Sequence, residues 1–245
     1  MKCVISVVVI FALAVGIPIF GAEVLPKNCI ESQVLDLLTT WRNGDLSSQF
    51  PSLEVIRIPS VDGVYEGFGI KITYTTGDMQ LAGVKNFTVE ELSVSATDLR
   101  ASTTLHFPML TLTAENYSLK GRAYVMYSLK GSGFMKATFQ NVKVTVGTQL
   151  VPKGTDMQVG DVNLSFSVTS IQVDLADSSW PINRVLNTSA MQIVEQHRSE
   201  LVTAAKGLLK QAINDFLATT TSSQLLDIAG KDYCTSSLPT TLVLS

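Results

Sequence analysis

Apolar and polar residues alternate over the segment from Tyr117 to Val146. In its first half, every second position from Tyr117 to Leu129 carries an apolar or small residue. A period of two is typical of a strand with one face packed on an apolar interior. The run Lys130-Gly131-Ser132-Gly133 predicts a turn, because glycine accepts positive φ without steric cost. We therefore predict a hairpin of two strands, each about 13 residues long and about twice the usual length.

The second strand of this hairpin changes its phase partway along. Alternate positions are apolar up to Phe139, and the apolar positions shift by one residue from Val142 onwards. This slip predicts a β-bulge at Asn141. Strands of this length must bend strongly or wrap around another element, because long strands twist.

The period of two continues over most of the segment from Leu53 to Leu175, interrupted by glycine and proline. We predict at least six strands in one antiparallel meander. The alternation predicts that one apolar set faces the interior: Phe68, Ile70, Ile72, Tyr74, Leu92, Val94, Ala96, Leu105, Phe107, Leu110, Leu112, Leu164, Phe166 and Val168.

Two segments have the helical period instead. Apolar residues from Ile30 to Trp41 recur at helical spacing, with Asn28 as a candidate N-cap. A second apolar stripe from Leu186 to Leu217 predicts a single helix of about 30 residues, or about 45 Å. A long helix beside overlong strands predicts an α+β fold. A highly curved antiparallel sheet would wrap the long C-terminal helix, and a short N-terminal helix would precede it.

The N-terminus has the pattern of a secretory signal peptide. One lysine precedes an apolar run from Val4 to Val15, and small residues follow at Gly16, Gly21 and Ala22. A membrane anchor is the alternative, but this run is about 12 residues and a spanning helix needs about 20. We predict that residues 1–22 are a signal peptide. Residues 23–245 are then expected to form one secreted, extracellular domain.

Composition limits the classes of partner. Of the 245 residues, 46% are hydrophobic and 16% are charged, and the formal net charge is -3. The net negative charge argues against a nucleic-acid partner. The linear sequence also contains no Lys/Arg cluster typical of a protein that binds an anionic membrane surface.

Cysteines and sequons carry predictions that depend on secretion. Cys3 would leave with the signal peptide, and Cys29 and Cys234 would remain. In an oxidising compartment these two most simply form a disulfide; the alternative is two free or intermolecular thiols. Four N-x-[ST] sequons are candidate glycosylation sites: Asn86, Asn116, Asn163 and Asn187.

Motifs for catalysis are lacking. His106 and His197 are the two histidines, and neither has metal-ligand or triad spacing. The GxSxG and GxGxxG motifs are absent as well, and the adjacent pair Glu90-Glu91 would point to opposite faces of a strand. We therefore predict that the protein is not an enzyme and needs no cofactor or metal. His197 is interpreted as a core or pocket residue of the long helix.

Several segments, taken in order, carry a resemblance to a known family. They are LPKNC at 25–29, FPSLEV at 50–55, LAGVKNF at 81–87, FPMLTL at 107–112, the pattern Tyr117-x3-Gly121 with Gly131-x-Gly133, and the helix at 183–217. Together they resemble the insect takeout and juvenile-hormone-binding protein family, one-unit members of the tubular lipid-binding superfamily. The sequence departs from that family in having one N-terminal cysteine, Cys29, where two usually pair, so it resembles a divergent member.

The resemblance implies an apolar tunnel that encloses a hydrophobic ligand such as a terpenoid hormone, a fatty acid or a related lipid. Burial of apolar area contributes roughly 25 cal/mol per Å², so such a ligand needs few polar contacts. The residues predicted to line the tunnel or its gate are Leu37, Leu38, Trp41, Phe68, Ile70, Ile72, Leu105, Phe107, Tyr127, Phe139, Ile193, His197 and Leu201.

Two functions remain open from the sequence. The first is a secreted, monomeric carrier of a small hydrophobic ligand. The second is a secreted module that contacts proteins or lipid surfaces, as in innate-immune or allergen relatives, without a stoichiometric ligand. An interior filled by its own side chains would favour the second.

Overall fold

The computed structural model describes residues 24–44, 52–67, 69–95, 98–124, 126–153, 156–180 and 182–219. Helix α1 spans Cys29–Arg42, helix α2 spans Ile182–Gln196, and helix α3 spans Arg198–Thr219. Between α1 and α2 lie nine strands and a short 3-10 turn, Val84–Asn86. The strands are β1 (Val55–Ile58), β2 (Val61–Gly67), β3 (Ile70–Thr76), β4 (Met79–Ala82), β5 (Thr88–Ser95), β6 (Arg100–Ala123), β7 (Tyr127–Lys153), β8 (Asp156–Ser167) and β9 (Ser170–Leu175).

Strands β6 and β7 form the central hairpin of one open antiparallel sheet. They contain 24 and 27 residues, roughly double the predicted length. Strands β5, β4 and β3 pair in turn along the outer edge of β6, and β8 and β9 pair along the outer edge of β7. The short strands β1 and β2 extend the sheet from β4 and β3. The two long strands therefore hold all the others in position.

The predicted turn of this hairpin was misplaced. The chain reverses between Ala123 and Tyr127, which lie opposite each other, and Tyr124 has a positive φ of 47° and donates its backbone N–H to Gly69 O at 2.7 Å. Gly131 and Gly133 lie within β7, opposite Leu119 and Tyr117. A glycine within a strand can mark a close approach by a neighbouring side chain as well as a turn. Gly131 has this role, because the Tyr117 hydroxyl lies over it.

The predicted change of phase at Asn141 is confirmed. Asn141 has a positive φ of 48°, and the buried positions change from Ala137 before it to Val142 after it. At this point β7 changes its outer partner, from β9 up to Gln140 to β8 from Lys143. The β6–β7 register nevertheless stays in step here, and it shifts instead between Ala114 and Tyr117. The predicted β-bulge at Asn141 is therefore wrong, and the irregularity of the β6–β7 pair lies between Ala114 and Tyr117.

The C-terminal helix is interrupted, whereas the sequence predicted one continuous helix. The two segments meet at His197, although its backbone N–H still donates to Ile193 O at 3.2 Å. Immediately after the break, Arg198 donates to the backbone oxygen of Phe166 on β8, and its guanidinium lies 4.8 Å from the centroid of the Phe166 ring. We attribute the interruption to this contact with the sheet, since no proline or glycine lies nearby.

Helix α1 begins as the sequence predicted. The Asn28 side chain accepts a hydrogen bond from Glu31 N at 2.9 Å and so caps the helix. The Glu31 carboxylate is buried and accepts bonds from Lys27 N at 2.7 Å and from Val94 N on β5 at 3.2 Å. On the same helix, Leu38 and Trp41 are buried in the core. These contacts attach α1 to the sheet.

The apolar interior consists of two clusters. The main cluster joins α1 and α3 to the strands β1, β2 and β4 to β8, and it contains Leu38, Trp41, Phe87, Leu105, Phe107, Leu110, Val144, Leu201 and Leu209 among others. The second cluster lies where β3 and the hairpin end of β6 and β7 meet α2, and it contains Ile70, Ile72, Tyr117, Leu119, Ala123, Leu129, Leu175 and Ile182. The alternation predicted most of these inward positions correctly.

Candidate functional site

Eight of the predicted tunnel residues belong to one of the two clusters. Leu38, Trp41, Leu105, Phe107 and Leu201 are buried in the main cluster, and Phe139 packs against it at a partly buried position. Ile70 and Ile72 belong to the second cluster. Alternation reports which face of a strand is apolar, but it does not report which part of the interior that face reaches.

The main cluster is tightly packed around Phe107. Phe107 and Leu105 are both 0% exposed, and the rings of Phe87 and Phe107 have centroids 5.3 Å apart. Buried side chains at this density make most of their contacts with one another. Phe107 therefore contributes to the hydrophobic core, in addition to any contact that it makes with a ligand.

Packing is less complete where α2 lies against the sheet. Within this helix Ile182 and Ala190 are buried. Other apolar side chains of α2 are only partly buried: Val185, Leu186, Ile193 and Val194. Partly buried apolar positions occur on β7 and β9 as well, namely Met135, Phe139 and Val173. Apolar surface that the protein itself does not fully cover is therefore present on α2 and on the strands β7 and β9.

A polar pair lies beside this region, at the junction of α2 and α3. The rings of Tyr65 and His197 contact edge to face, with centroids 6.3 Å apart. His197 Nδ1 is 3.3 Å from a carboxylate oxygen of Glu200. The Tyr65 hydroxyl is buried and has no hydrogen-bond partner in the part of the chain that the structure describes. Burial raises the pKa of Tyr65.

Sequence reasoning missed Tyr65. It lies at an inward position of β2, opposite Ile72. The alternation of β2 is hard to recognise in the sequence, because the strand contains polar residues and has a glycine two positions before and two positions after Tyr65. Gly67 leaves space for the Tyr65 hydroxyl, since a Cβ at position 67 would lie 2.7 Å from it. The sequence signal that could have identified Tyr65 was its spacing of two from Gly63 and Gly67.

Three predicted lining residues are not placed in the interior. Tyr127 is 53% exposed at the hairpin end of the sheet, although Ala123 directly opposite it is buried. Leu129, two residues further along the strand, is buried. The alternation therefore predicted the face of Tyr127 correctly, but it did not predict that this side chain is exposed. Phe68 and the side chain of Leu37 lie outside the described residues.

Two open clefts lie on the surface. The first, of about 760 Å³, is bordered mainly by polar side chains of β5 to β8 together with Lys206. The second, of about 750 Å³, lies along the edge of β7 near Lys130 and Asp177. Neither lining includes a predicted tunnel residue. These clefts have the character of polar surface rather than of an apolar tunnel.

The four sequon asparagines are all exposed: Asn86, Asn116, Asn163 and Asn187. Asn187 also has a structural role, because its side-chain amide donates to Val173 O at 2.9 Å and links α2 to β9. Cys234 lies outside the described residues, as do residues 1–23. The disulfide and the signal peptide therefore stay predictions.

Two negative findings apply to the described ranges. No group of three or more His, Cys, Asp or Glu side chains there could hold a metal ion. No helix within the same ranges is long and apolar enough to cross a membrane.

An open antiparallel sheet whose apolar face packs against C-terminal helices defines the takeout type of fold. The crystal structure of Takeout 1 from Epiphyas postvittana superposes with a TM-score of 0.58 and 18% identity, over 80% of this chain and 94% of that one. A family model described as haemolymph juvenile hormone binding protein matches residues 13–230. The chain belongs to this family.

A crystal structure of lipopolysaccharide binding protein aligns with a TM-score of 0.38 and 12% identity, over 64% of this chain and 33% of that chain. Comparison with curated protein sequences found no significant match.

Proposed function

We propose that this protein is a secreted carrier of one small hydrophobic ligand, such as a terpenoid hormone, a fatty acid or a related lipid. The observation that carries the proposal is membership of a family described as binding juvenile hormone in haemolymph. The proposal assigns no catalytic role, and the protein is expected to act as a monomer.

The proposed ligand lies between α2 and the sheet, where apolar side chains are only partly covered. Its contacts would include the partly buried Phe139 and Ile193, with the buried Ile70 and Ile72 and the partly buried His197 beside them. A ligand buried there would gain affinity from apolar transfer at roughly 25 cal/mol per Å². The other predicted residues, Leu38, Trp41, Leu105, Phe107 and Leu201, would support this space from the main core.

The first test is native mass spectrometry of the protein secreted from insect cells, followed by organic extraction and identification of released molecules. A stoichiometric hydrophobic adduct on a monomer supports the carrier. A mass without adduct, together with no uptake from a panel of fatty acids and terpenoids, contradicts it.

A matched pair of variants tests the position of the ligand. Ile193→Phe adds volume at the partly covered face, and we expect it to reduce uptake while the protein stays folded. Val202→Phe is the control, because Val202 is a partly buried residue of α3 against the main cluster. Equal uptake by both variants would place the ligand elsewhere. Phe107→Arg is unsuitable here, since a charge at this fully buried position would disrupt the core.

A second candidate function is an interaction module without a stoichiometric ligand. The complete burial of Leu105 and Phe107 favours it, because part of the interior is filled by the protein's own side chains. The same mass measurement separates the two candidates: retained ligand supports the carrier, and its absence after uptake experiments supports the module.

A further inference from the structure

The hairpin end of the sheet has an unusual surface. Two turns lie side by side there, since Tyr124 N donates to Gly69 O across them. Tyr124 is 65% exposed, Met126 is 82% exposed and Tyr127 is 53% exposed. We call these three residues the hairpin tip. Large apolar side chains so exposed and so close together commonly mark a site of contact with another surface.

Four cations lie near the tip on the outer face of three adjacent strands. Lys71 on β3 lies opposite Arg122 on β6, and Lys120 on β6 lies opposite Lys130 on β7. All four side chains are exposed. We call them the basic collar. Sequence separates these residues by up to about 60 positions, so the linear chain gave no sign of a cluster; the sheet register creates it.

Within the basic collar, residues of like charge lie directly opposite each other on neighbouring strands. Residues directly opposite each other on neighbouring strands have Cβ atoms about 5 Å apart, and like charges at such positions are destabilising. Elsewhere in the protein, Lys143 is 2.7 Å from Glu90 and Lys85 is paired with Glu54. Within the described part of the chain, the side chains of Lys120, Arg122 and Lys130 have no acidic partner at ion-pair distance.

Two acidic groups moderate the collar. Glu66 is 2.8 Å from Lys71, and both side chains are 68% exposed, so solvent weakens this pair. Asp177 borders the same open cleft as Lys120 and Lys130. The end of the sheet thus presents four cations and two anions, while the chain as a whole carries a net charge of -3. The net charge of these six groups is therefore opposite in sign to that of the chain.

We propose that the hairpin tip docks onto an anionic lipid membrane surface. Tyr124, Met126 and Tyr127 enter the interfacial region, and the basic collar contacts the phosphate and carboxylate headgroups. Tyrosine is favoured at the membrane–water boundary, and each Lys or Arg near an anionic surface adds to the attraction. At about 3.3 Å per residue, Lys120 and Lys130 lie roughly 10–13 Å from the turn, within reach of headgroups when the tip is inserted.

The shape of the tip favours a lipid surface over a protein. The apolar side chains project from a narrow turn, and the cations around them sit on long flexible chains. A deformable sheet of headgroups accepts such a surface without a matching pocket. The proposal does not depend on a bound ligand, so it can hold even where the carrier function fails.

The experiment is flotation of the purified full chain with phosphatidylcholine vesicles, prepared with and without phosphatidylserine, at low and high ionic strength. We expect binding to the vesicles that contain phosphatidylserine and loss of that binding at high salt. Absence of binding to these vesicles at low salt overturns the proposal.

Charge variants test the collar. Lys120→Gln and Lys130→Gln are each expected to lower the partition coefficient about fivefold, while Lys153→Gln, at the opposite end of β7, leaves it unchanged. If Lys153→Gln lowers binding equally, the attraction is not local to the collar and the proposal fails.

Apolar variants test insertion of the tip. Met126→Ser is expected to reduce binding about tenfold, while Met109→Ser, also exposed but in mid-strand, has no effect. Thermal unfolding should show that both variants are folded. Unchanged binding by folded Met126→Ser overturns insertion. Binding to intact cells that is lost after protease treatment, without vesicle binding, would identify a protein partner and also overturn the proposal.

Discussion

Tyr117 on β6 lies across Gly131 on β7, so close that a Cβ at position 131 would be 2.3 Å from the Tyr117 hydroxyl oxygen. The same hydroxyl donates to Ala176 O at 2.6 Å. This bond connects the central hairpin to the loop after β9, which leads into α2. The glycine therefore makes possible a contact that positions the C-terminal helices.

We predict that Gly131→Ala destabilises the protein by about 1–3 kcal/mol, because the Tyr117 ring must move and its bond to Ala176 must lengthen. Thermal unfolding measures the effect, at roughly 2–4 °C per kcal/mol for a domain of this size. Gly147→Ala is the control, since its added Cβ would meet Asn163 Cβ at an ordinary 3.6 Å. Equal stability of the two variants would contradict the prediction.

Two tyrosine-to-phenylalanine changes should have opposite effects on the free energy of unfolding. Tyr65→Phe removes a buried hydroxyl that lacks a partner, so we expect the free energy of unfolding to rise by about 1 kcal/mol. Tyr117→Phe removes a made hydrogen bond, so we expect a loss of about 1 kcal/mol. Chemical denaturation of both variants checks this. A less stable Tyr65→Phe would mean that its hydroxyl has a partner in solution.

Alkaline pH should weaken the fold through Tyr117. Burial, followed by the nearby Asp177 carboxylate, raises the pKa of Tyr117 above its ordinary value. The unfolded chain then loses this proton at a lower pH than the folded chain, so stability is full below the ordinary tyrosine pKa of about 10 and falls as pH rises above it. Unfolding measured against pH should show a smaller alkaline loss in Tyr117→Phe. An identical loss in both proteins would assign the effect to other groups.

Glu31 should control the attachment of α1. Glu31→Ala removes the acceptor for Lys27 N and for Val94 N, and we expect a cost of about 2 kcal/mol that is concentrated in α1. Hydrogen exchange should show faster exchange in α1 and at Val94, with little change in β6 and β7. Glu54→Ala is the control, because Glu54 is exposed. Uniform loss of protection would indicate global unfolding instead.

Local periodicity predicted much of this fold. The alternation identified Ile70, Ile72, Leu105 and Phe107 as inward, and the cap at Asn28 located the start of α1. These features depend on short-range order: a strand alternates faces regardless of its partners, and a cap is made within one turn.

Features that depend on distant contacts were not predictable in the same way. A glycine can mark either a turn or a close approach by a side chain, and the sequence alone does not distinguish the two. Gly131 was therefore interpreted as part of a turn, although it accommodates Tyr117. The interruption at His197 coincides with the contact between Arg198 and Phe166, which are 32 positions apart in sequence. The basic collar likewise arises from the register of the sheet, and the burial of the Tyr65 hydroxyl arises from packing.

The length of β6 and β7 has a consequence for the order of folding. Their pairing can begin at the turn of residues 124–126 and extend outward, since each added pair closes only a slightly larger loop. The strands β5, β8 and β9 pair only with β6 or β7, so their pairing edges exist only once this hairpin has formed. We therefore expect the hairpin to form the nucleus of the folding transition state, and changes beside the turn to slow folding more than they speed unfolding.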